Sequence, residues 1–307
     1  MTELLVPIVV ATLAAGTPLV FAALGELVAE KSGVLNLGVE GMMLVGAIAA
    51  FAATVASGSA WVGVLAGMLA GAAMSFVFAV LALTLQANQV AAGLALSLFG
   101  LGLSAFAGKP LESVALQAPQ AVPVPLLSEI PLLGPMLFSH QPLVYLSWLM
   151  AVLVSLFLYR SRAGLVLRAV GESPASATAI GYPAIAIRYL ATLFGGAMAG
   201  IAGAFLSIVY TPMWVEGMTA GRGWIALALV VFATWRPARV LAGAYLFGGV
   251  TMLQFFAQGA GVAVASQLLS SLPYLATIVV LVLISRNPHT IRLNAPVSLG
   301  KPYHPDA

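Results

Sequence analysis

The sequence predicts an all-α fold, a polytopic transmembrane helical bundle of about nine membrane elements that include broken or half helices. Three observations predict it. Hydrophobic residues make up 62% of the chain and charged residues 7%, with a mean hydropathy of +1.07, whereas a soluble domain is roughly 25% charged. Several apolar runs reach the ~20 residues that cross a bilayer core as a helix. The Lys and Arg residues, finally, are gathered in alternate connections between those runs, as the positive-inside rule describes.

The same composition excludes other classes. The net charge of +3 arises from loop residues that never cluster with exposed aromatics, so no nucleic-acid partner is expected. The chain has no Cys, which rules out disulfides, thiolate metal sites and cysteine nucleophiles. No His cluster, carboxylate pair or serine triad converges on a predicted membrane face, so no catalytic residue and no metal site is assigned. Glu3 precedes the first apolar run without a Lys or Arg, so the basic region of a cleavable signal is missing.

Taken in order, the first span is residues 4–27, where Pro7, Gly16 and Pro18 imply an irregular helix. Spans follow at 34–56, 61–85 and 88–107, separated by a polar break and by the connectors Ser57-Gly58-Ser59 and Gln86-Ala87-Asn88. Residues 108–141 hold six prolines and read as an extramembrane loop with a short helix near Leu126–Ile130. A span at 142–160 precedes a second polar loop, 161–188, and spans resume at 189–210, 223–235, 238–257 and 266–285. The 223–235 element is too short to cross at ~1.5 Å rise per residue and reads as a half-helix. Together these make a transmembrane domain over 1–290 and a polar tail, expected in the cytoplasm, over 291–307.

Nine crossings put the termini on opposite sides. With the C-terminus inside, the inner segments hold Lys31, Arg160, Arg162, Arg168, Arg188, Arg236, Arg239, Arg286, Arg292 and Lys301, ten of the twelve basic residues. The expected orientation is N-out, C-in, with the Pro-rich loop outside and the 161–188 loop in the cytoplasm.

Two stretches carry polar groups where apolar ones are expected. In GELVAEKSGVLNLGVEGMMLVG (25–46), Glu26, Glu30 and Lys31 mark the cytoplasmic rim, with Lys31 as counter-ion to the glutamates. Glu40 is followed by a fully apolar run, and an ionised group at the bilayer centre costs about 2.5–3.5 kcal/mol on insertion scales. It either makes a structural bond, to a neighbouring helix's backbone or to Asn36 one turn earlier, or points with Asn36, four residues away on the same helix face, into a permeation pathway. The second stretch is Gly217 to Trp224, where Arg222 either pairs with Glu216 in a surface turn or belongs to a break in the membrane. In transporters built from inverted repeats the broken segments of two halves meet near the midplane. VLNLGVEGMML and MTAGRGWIALA would be the corresponding breaks of two such halves. Asn88 and Gln89 open the 88–107 span as helix caps or as pathway residues. Trp214, Trp224 and Phe232 offer rings for stacking, although Trp also gathers at bilayer interfaces, where Trp214 and His140 are expected.

The loop 161–188 contains a helix with clear boundaries. Ser173 suits the N-cap, Pro174 the first helical position and Gly181 the C-terminal cap, leaving Ala175–Ile180 as about two turns of small residues. It is either an ordinary linking helix or a docking helix for a cytoplasmic partner.

The segment GLVLRAVGESPASATAIG resembles the cytoplasmic loop of ABC-importer permeases of the branched-chain amino acid, simple-sugar and nucleoside type. GELVAEKSGVLNLGVEGMMLVGA, IPLLGPMLFSHQPLVYL and GMTAGRGWIALALVVFATWRP are similar to the signatures of permeases in nucleoside importers that use a basic membrane lipoprotein as receptor, closest to the shorter of the two paralogous permeases. QANQV keeps the family's break at 86–89, whereas SIVYTPMWVEGMTAGRG is shorter than the usual segment. The match runs from about Leu13 to Ser285. The resemblance implies a permease of the bacterial cytoplasmic (inner) membrane that pairs with a second, homologous permease, takes ligand from a receptor lipoprotein and contacts membrane lipid. It also implies that a cytoplasmic ABC ATPase docks on Gly171, Glu172, Ser173, Pro174, Ala177, Ile180 and Gly181. No G-x-x-x-x-G-K-[ST] motif occurs in the chain, so no cofactor is expected on it and ATP would be used by the partner subunit. The candidate pathway residues are Asn36, Glu40, Asn88, Gln89, Arg222 and Trp224, with purine nucleosides as the expected solute and simple sugars as the alternative. Composition alone also admits an ion-coupled secondary transporter, with Glu40 as proton carrier.

Overall fold

The computed structural model describes residues 2–259 and 294–304, together with eight positions between them (268, 271, 272, 275, 276, 278, 279 and 282). The expected span 266–285 falls mostly outside the described residues.

The first helix, α1 (Thr2–Lys31), runs unbroken through Pro7 and Pro18. At ~1.5 Å per residue its 30 residues extend about 45 Å, longer than a ~30 Å hydrocarbon core. Glu30 and Lys31 therefore lie in the last turn of a helix and not in a connector, which corrects the end of the expected first span, 4–27. The polar break is confined to 32–38, with Gly33 at φ +91° turning the chain. Next come α2 (Val39–Ser57) and α3 (Ala60–Ala79), the latter prolonged by a π-helical segment at Val80–Thr84. Gln86 at φ +54° ends it, and α4 (Gln89–Gly108) follows.

In the Pro-rich loop no helix forms at 126–130, because Leu126 takes a positive φ of +67°, incompatible with a helix. A short helix, α5 (Leu133–Leu137), forms instead, and β1 (Val122–Pro123) pairs antiparallel with β2 (Ser139–His140). Then come α6 (Pro142–Arg160), α7 (Arg162–Glu172), α8 (Pro174–Ala179) and α9 (Ala184–Ala204), which is prolonged by a π-helical segment at Phe205–Tyr210. Helix α9 starts just after Pro183, earlier than the expected 189, and so carries Arg188 into the bundle. The last helices are α10 (Arg222–Phe232) and α11 (Pro237–Gly259). Among the described residues seven helices are long and apolar enough to cross a membrane, and α10 is the shorter apolar helix beside them.

Helix α9 is the axis of the bundle, packed against α1, α2 and α3, while α11 and α6 lie on α1 and α4 lies on α2. Apolar helices gain little from hiding apolar surface from apolar lipid, so close van der Waals packing has to hold them, and small residues permit it. The closest approach is built on glycine. A Cβ on Gly200 of α9 would stand 2.0 Å from the carbonyl oxygen of Gly67 of α3, and one on Gly46 of α2 would stand 2.6 Å from the Gly200 Cα. Three helices thus meet at backbone distance.

Gly102, on α4, has open space where its Cβ would be. Gly200→Ala is expected to lower the unfolding temperature in detergent, because overpacking costs about 1–3 kcal/mol. Gly102→Ala should be neutral or stabilising by up to about 1 kcal/mol through helix propensity. Equal effects of the two substitutions would contradict the packing described here.

Candidate functional site

The start of α10 is partly buried: Gly223 is buried, Gly221 and Arg222 are half-buried and Trp224 is exposed, and the free N–H groups of a helix start need acceptors. Glu40, in the first turn of α2, supplies what they need. Its Oε1 accepts from the Thr219 hydroxyl (2.6 Å) and from the Gly221 N–H (2.9 Å), and its Oε2 accepts from the Gly223 N–H (2.6 Å). A carboxylate at this end of a helix also meets the positive end of the macrodipole. The contact requires glycine, since a Cβ on Gly223 would lie 2.5 Å from the Glu40 Cα. Of the two readings open for Glu40, bonding to a neighbouring helix's backbone is the one observed. Its consequence is that the first turn of α2, which follows the first break, and the start of α10, which follows the second, are joined.

The first break has its own set of partners. Asn36 precedes α2 and is not on its face, so the expected helical pairing with Glu40 is corrected. The reason is local: Asn36 Oδ1 accepts from the Gly38 N–H (2.9 Å), which holds a turn in place of helix. The Asn36 backbone N–H donates to Glu26 Oε1 (3.0 Å), and the Leu35 N–H donates to Gln89 Oε1 (2.9 Å). Gln89, Gly93 and Ser97 stand four apart on α4 and form the face that meets the break. A Cβ on Gly93 would lie 2.7 Å from the Leu37 nitrogen, and the Ser97 hydroxyl donates to the Leu37 carbonyl (2.9 Å). Two buried polar atoms flanking this break keep free capacity: Glu26 Oε2 and Gln89 Nε2 have no hydrogen-bond partner.

Glu30 holds the other end of α10. The Trp235 indole N–H donates to Glu30 Oε2 (2.5 Å), at a turn where Thr234 and Trp235 both have positive φ. The 11-residue half-helix is therefore slung between Glu40 at its start and Glu30 just past its end. The Lys31 ammonium, expected as counter-ion, donates to the Asn294 carbonyl (2.6 Å).

The remaining candidates are placed as follows. Arg222 donates to the carbonyls of Met218 and Thr219 (3.2 Å each) and lies over the Tyr210 ring, while Glu216 is exposed; the expected Arg222–Glu216 pair is not formed. Trp224 is exposed in the first turn of α10. Asn88 caps α4 by accepting from the Ala91 N–H (3.0 Å) and is exposed, away from the joined breaks. Trp214 and His140, expected at an interface, are both buried. Trp214 packs with Ala47, Ile48 and Phe51, and His140 Nε2 bonds the Met136 carbonyl (2.8 Å) with its ring edge-on to Tyr145 and Trp148.

In the loop after α6, the Ser173 hydroxyl caps α8 by accepting from the Ser176 N–H (3.2 Å), Pro174 opens the helix and Gly181 has φ +93° beyond it. Ile180 is exposed, whereas Ala177 is buried against Val170, Ala184 and Tyr303. Gly171 ends α7 against the first break, with space for no Cβ, since one would come within 2.1 Å of the Lys31 carbonyl oxygen. Sequence reading passed over Thr219, Arg188, Ser298 and Tyr303. Arg188 could have been noticed as a cation at the start of an apolar run; the other three have no signature of their own.

Glu40→Ala would strand three buried donors at about 1–3 kcal/mol each. It is expected to lower the unfolding temperature in detergent well below that of Glu40→Gln, which keeps part of the acceptor set. Indistinguishable melting curves would show that α10 does not depend on the Glu40 contact.

Comparison with known proteins agrees with this architecture. Residues 8–284 match the family described as branched-chain amino acid transport system / permease component. The chain is 42% identical, over 96% of both chains, to a Haloferax volcanii protein named as a glucose ABC transporter permease. It is 34% identical to the nucleoside ABC transporter permease protein NupC of Lactococcus lactis, over 87% of this chain and 88% of that one. With the guanosine ABC transporter permease protein NupQ of Bacillus subtilis it shares 32% identity, over 80% of this chain and 81% of the other. No solved structure is a significant match. Membership implies an ATPase partner and a substrate-binding protein, and places the chain in the cytoplasmic membrane as a multi-pass protein. The chain belongs to the family described as branched-chain amino acid transport system / permease component, and it is the membrane-spanning permease subunit of an ABC transporter.

Proposed function

We propose that this chain forms the translocation pathway of an ATP-driven importer for purine nucleosides, with its pathway running along the joined breaks. The observation that carries the reading is the Glu40 contact, which brings the first turn of α2, just past the first break, against the start of α10. Interrupted helices whose ends meet within the membrane are where transporters place their solute. Glu26 Oε2 and Gln89 Nε2 offer an unused acceptor and an unused donor beside the first break, which suits an uncharged ligand rich in hydroxyls and ring nitrogens. Arg222 and Trp224 stand at the second break, and Glu40 acts there as the fixed support of both.

In this reading the orientation is N-out, C-in. Hydrolysis of ATP takes place on a separate cytoplasmic subunit that docks on α8 and its flanks, from Gly171 to Gly181. A second, homologous permease completes the pathway, and a receptor lipoprotein delivers the solute. Ile180, exposed at the end of α8, is the residue of that surface with the most apolar area to offer. The relatives named for nucleoside and guanosine transport support the nucleoside reading, and the relative named for glucose favours sugars as the second reading.

Uptake into proteoliposomes holding the whole transporter separates the two. Guanosine should be taken up on addition of ATP and should resist a large excess of glucose; uptake of glucose that guanosine fails to inhibit would overturn the nucleoside reading. For docking, Ile180→Asp is expected to abolish ATP-driven uptake while membrane insertion of the chain stays normal. Uptake at the unmodified rate in that variant would remove α8 from the ATPase interface.

A further inference from the structure

The segment 294–304 is a short polar stretch whose described residues return to the bundle and make a series of specific bonds there. The Ser298 hydroxyl donates to the Gly171 carbonyl at the end of α7 (2.6 Å), and the Ser298 backbone N–H donates to the same oxygen (3.0 Å). Arg188 of α9, one of the most deeply buried side chains, donates from Nη2 to the Ser298 hydroxyl (2.9 Å) and from Nε to the Ser32 carbonyl in the first break (3.1 Å). The Gly300 N–H donates to the Gly33 carbonyl (3.1 Å), and the Lys31 ammonium donates to the Asn294 carbonyl (2.6 Å). At the far end, the Tyr303 hydroxyl donates to Thr178 on α8 (2.9 Å), and its ring lies between Ala177 and the Arg188 guanidinium.

These contacts join the segment to four parts: α8, the end of α7, Arg188 of α9, and residues 31–33 at the end of α1 and the start of the break. We infer that segment 294–304 is the positioning element that makes α8 and the first break move as one body, with Ser298 and Tyr303 as its two attachment points and Arg188 as the buried post between them. The physical argument is one of rigidity. Helix α8 has only 6 residues, too few to hold its own position, and Ala177 is its single buried residue. Without Tyr303 a push on α8 would be absorbed where Ser173, extended at φ −150°, links it to α7. With Tyr303 and Ser298 in place the push passes through Arg188 to Ser32, next to the residues held by Glu26 and Gln89. The inference rests on the proposed docking of the ATPase at α8, and its test separates the two.

The chain has no native Cys, so a single Leu37→Cys in the first break gives a reporter whose maleimide labelling is read on this chain in the assembled transporter. Labelling rates are compared without nucleotide and with ATP plus orthovanadate. A nucleotide-dependent change is expected in the reporter chain, and its absence would overturn both the docking reading and the inference. Adding Ser298→Ala and Tyr303→Phe is expected to shrink the change about fivefold or more, the low end of ordinary coupling between sites, while the ATPase still co-purifies. Tyr303→Phe alone, which keeps the ring and its packing, should produce part of the loss, and Ser298→Thr, which keeps the hydroxyl, should restore most of the coupling lost in Ser298→Ala. A change lost in Ile180→Asp but intact in the Ser298 and Tyr303 variants would overturn the inference and leave docking standing. A change that survives Ile180→Asp would remove its premise.

Discussion

A helix start presents free N–H groups that its own turns cannot satisfy, and much of the rest of this structure depends on how that demand is met at α10. Helix α10 has 11 residues, too few to cross a ~30 Å hydrocarbon core. Its start is satisfied by the Glu40 carboxylate, and the turn past its end by Glu30 through the Trp235 indole. Glu26 holds the backbone at Asn36 in the same way. The three glutamates of one stretch of sequence thus serve as acceptors for backbone, hydroxyl and indole donors. This explains how so apolar a chain tolerates them.

The second constraint is distance. The Glu40 contact works only because Gly223 lets the α10 backbone come against the Glu40 Cα, and the α2–α3–α9 junction at Gly46, Gly67 and Gly200 sets where α2 stands. Close packing and polar satisfaction therefore support one another: the glycines bring α2 and α9 to backbone contact, and α2 then presents Glu40 at the level where α10 begins. A join made in this way is stiff. Solute movement past it would come from shifts of whole elements, as bistable packed interfaces permit, and not from gradual deformation.

Such shifts need a handle, and the polar end of the molecule has the form of one. Helix α7, helix α8 and residues 294–304 are tied to Ser32 and Gly33 through Gly171, Ser298 and Arg188. The ties end within a few residues of Leu35 and Asn36, whose backbone donors are held by Gln89 and Glu26. The interval between a docked partner and the proposed pathway is bridged by hydrogen bonds from the Ser298 and Arg188 side chains to backbone carbonyls, together with the side-chain contacts Arg188–Ser298 and Tyr303–Thr178.

Much of this was legible in the sequence, and the part that was not has a definite reason. Most helix positions, the short helix near 223, and the cap-bounded helix at 174–179 followed from local properties: apolar run length, Ser173-Pro174 and Gly181. These depend on the chain's immediate neighbours and so can be read along it. The anomalous residues Glu40, Gln89 and Arg222 were also visible, because polar groups among apolar ones carry a cost wherever they sit. Their partners were not visible. Asn36 and Glu40 are four apart and read as helical neighbours, yet Asn36 turns the chain through Gly38 and Glu40 reaches residues about 180 positions away. Glu216 looked like the natural partner of Arg222, and Arg222 found carbonyls and the Tyr210 ring. The sequence by itself determined that this is a polytopic helical permease with two polar interruptions. Only the tertiary structure decided that the interruptions are joined, and by which carboxylate, because a buried donor is satisfied by whatever acceptor packing brings within 3 Å, however far away it lies in the chain.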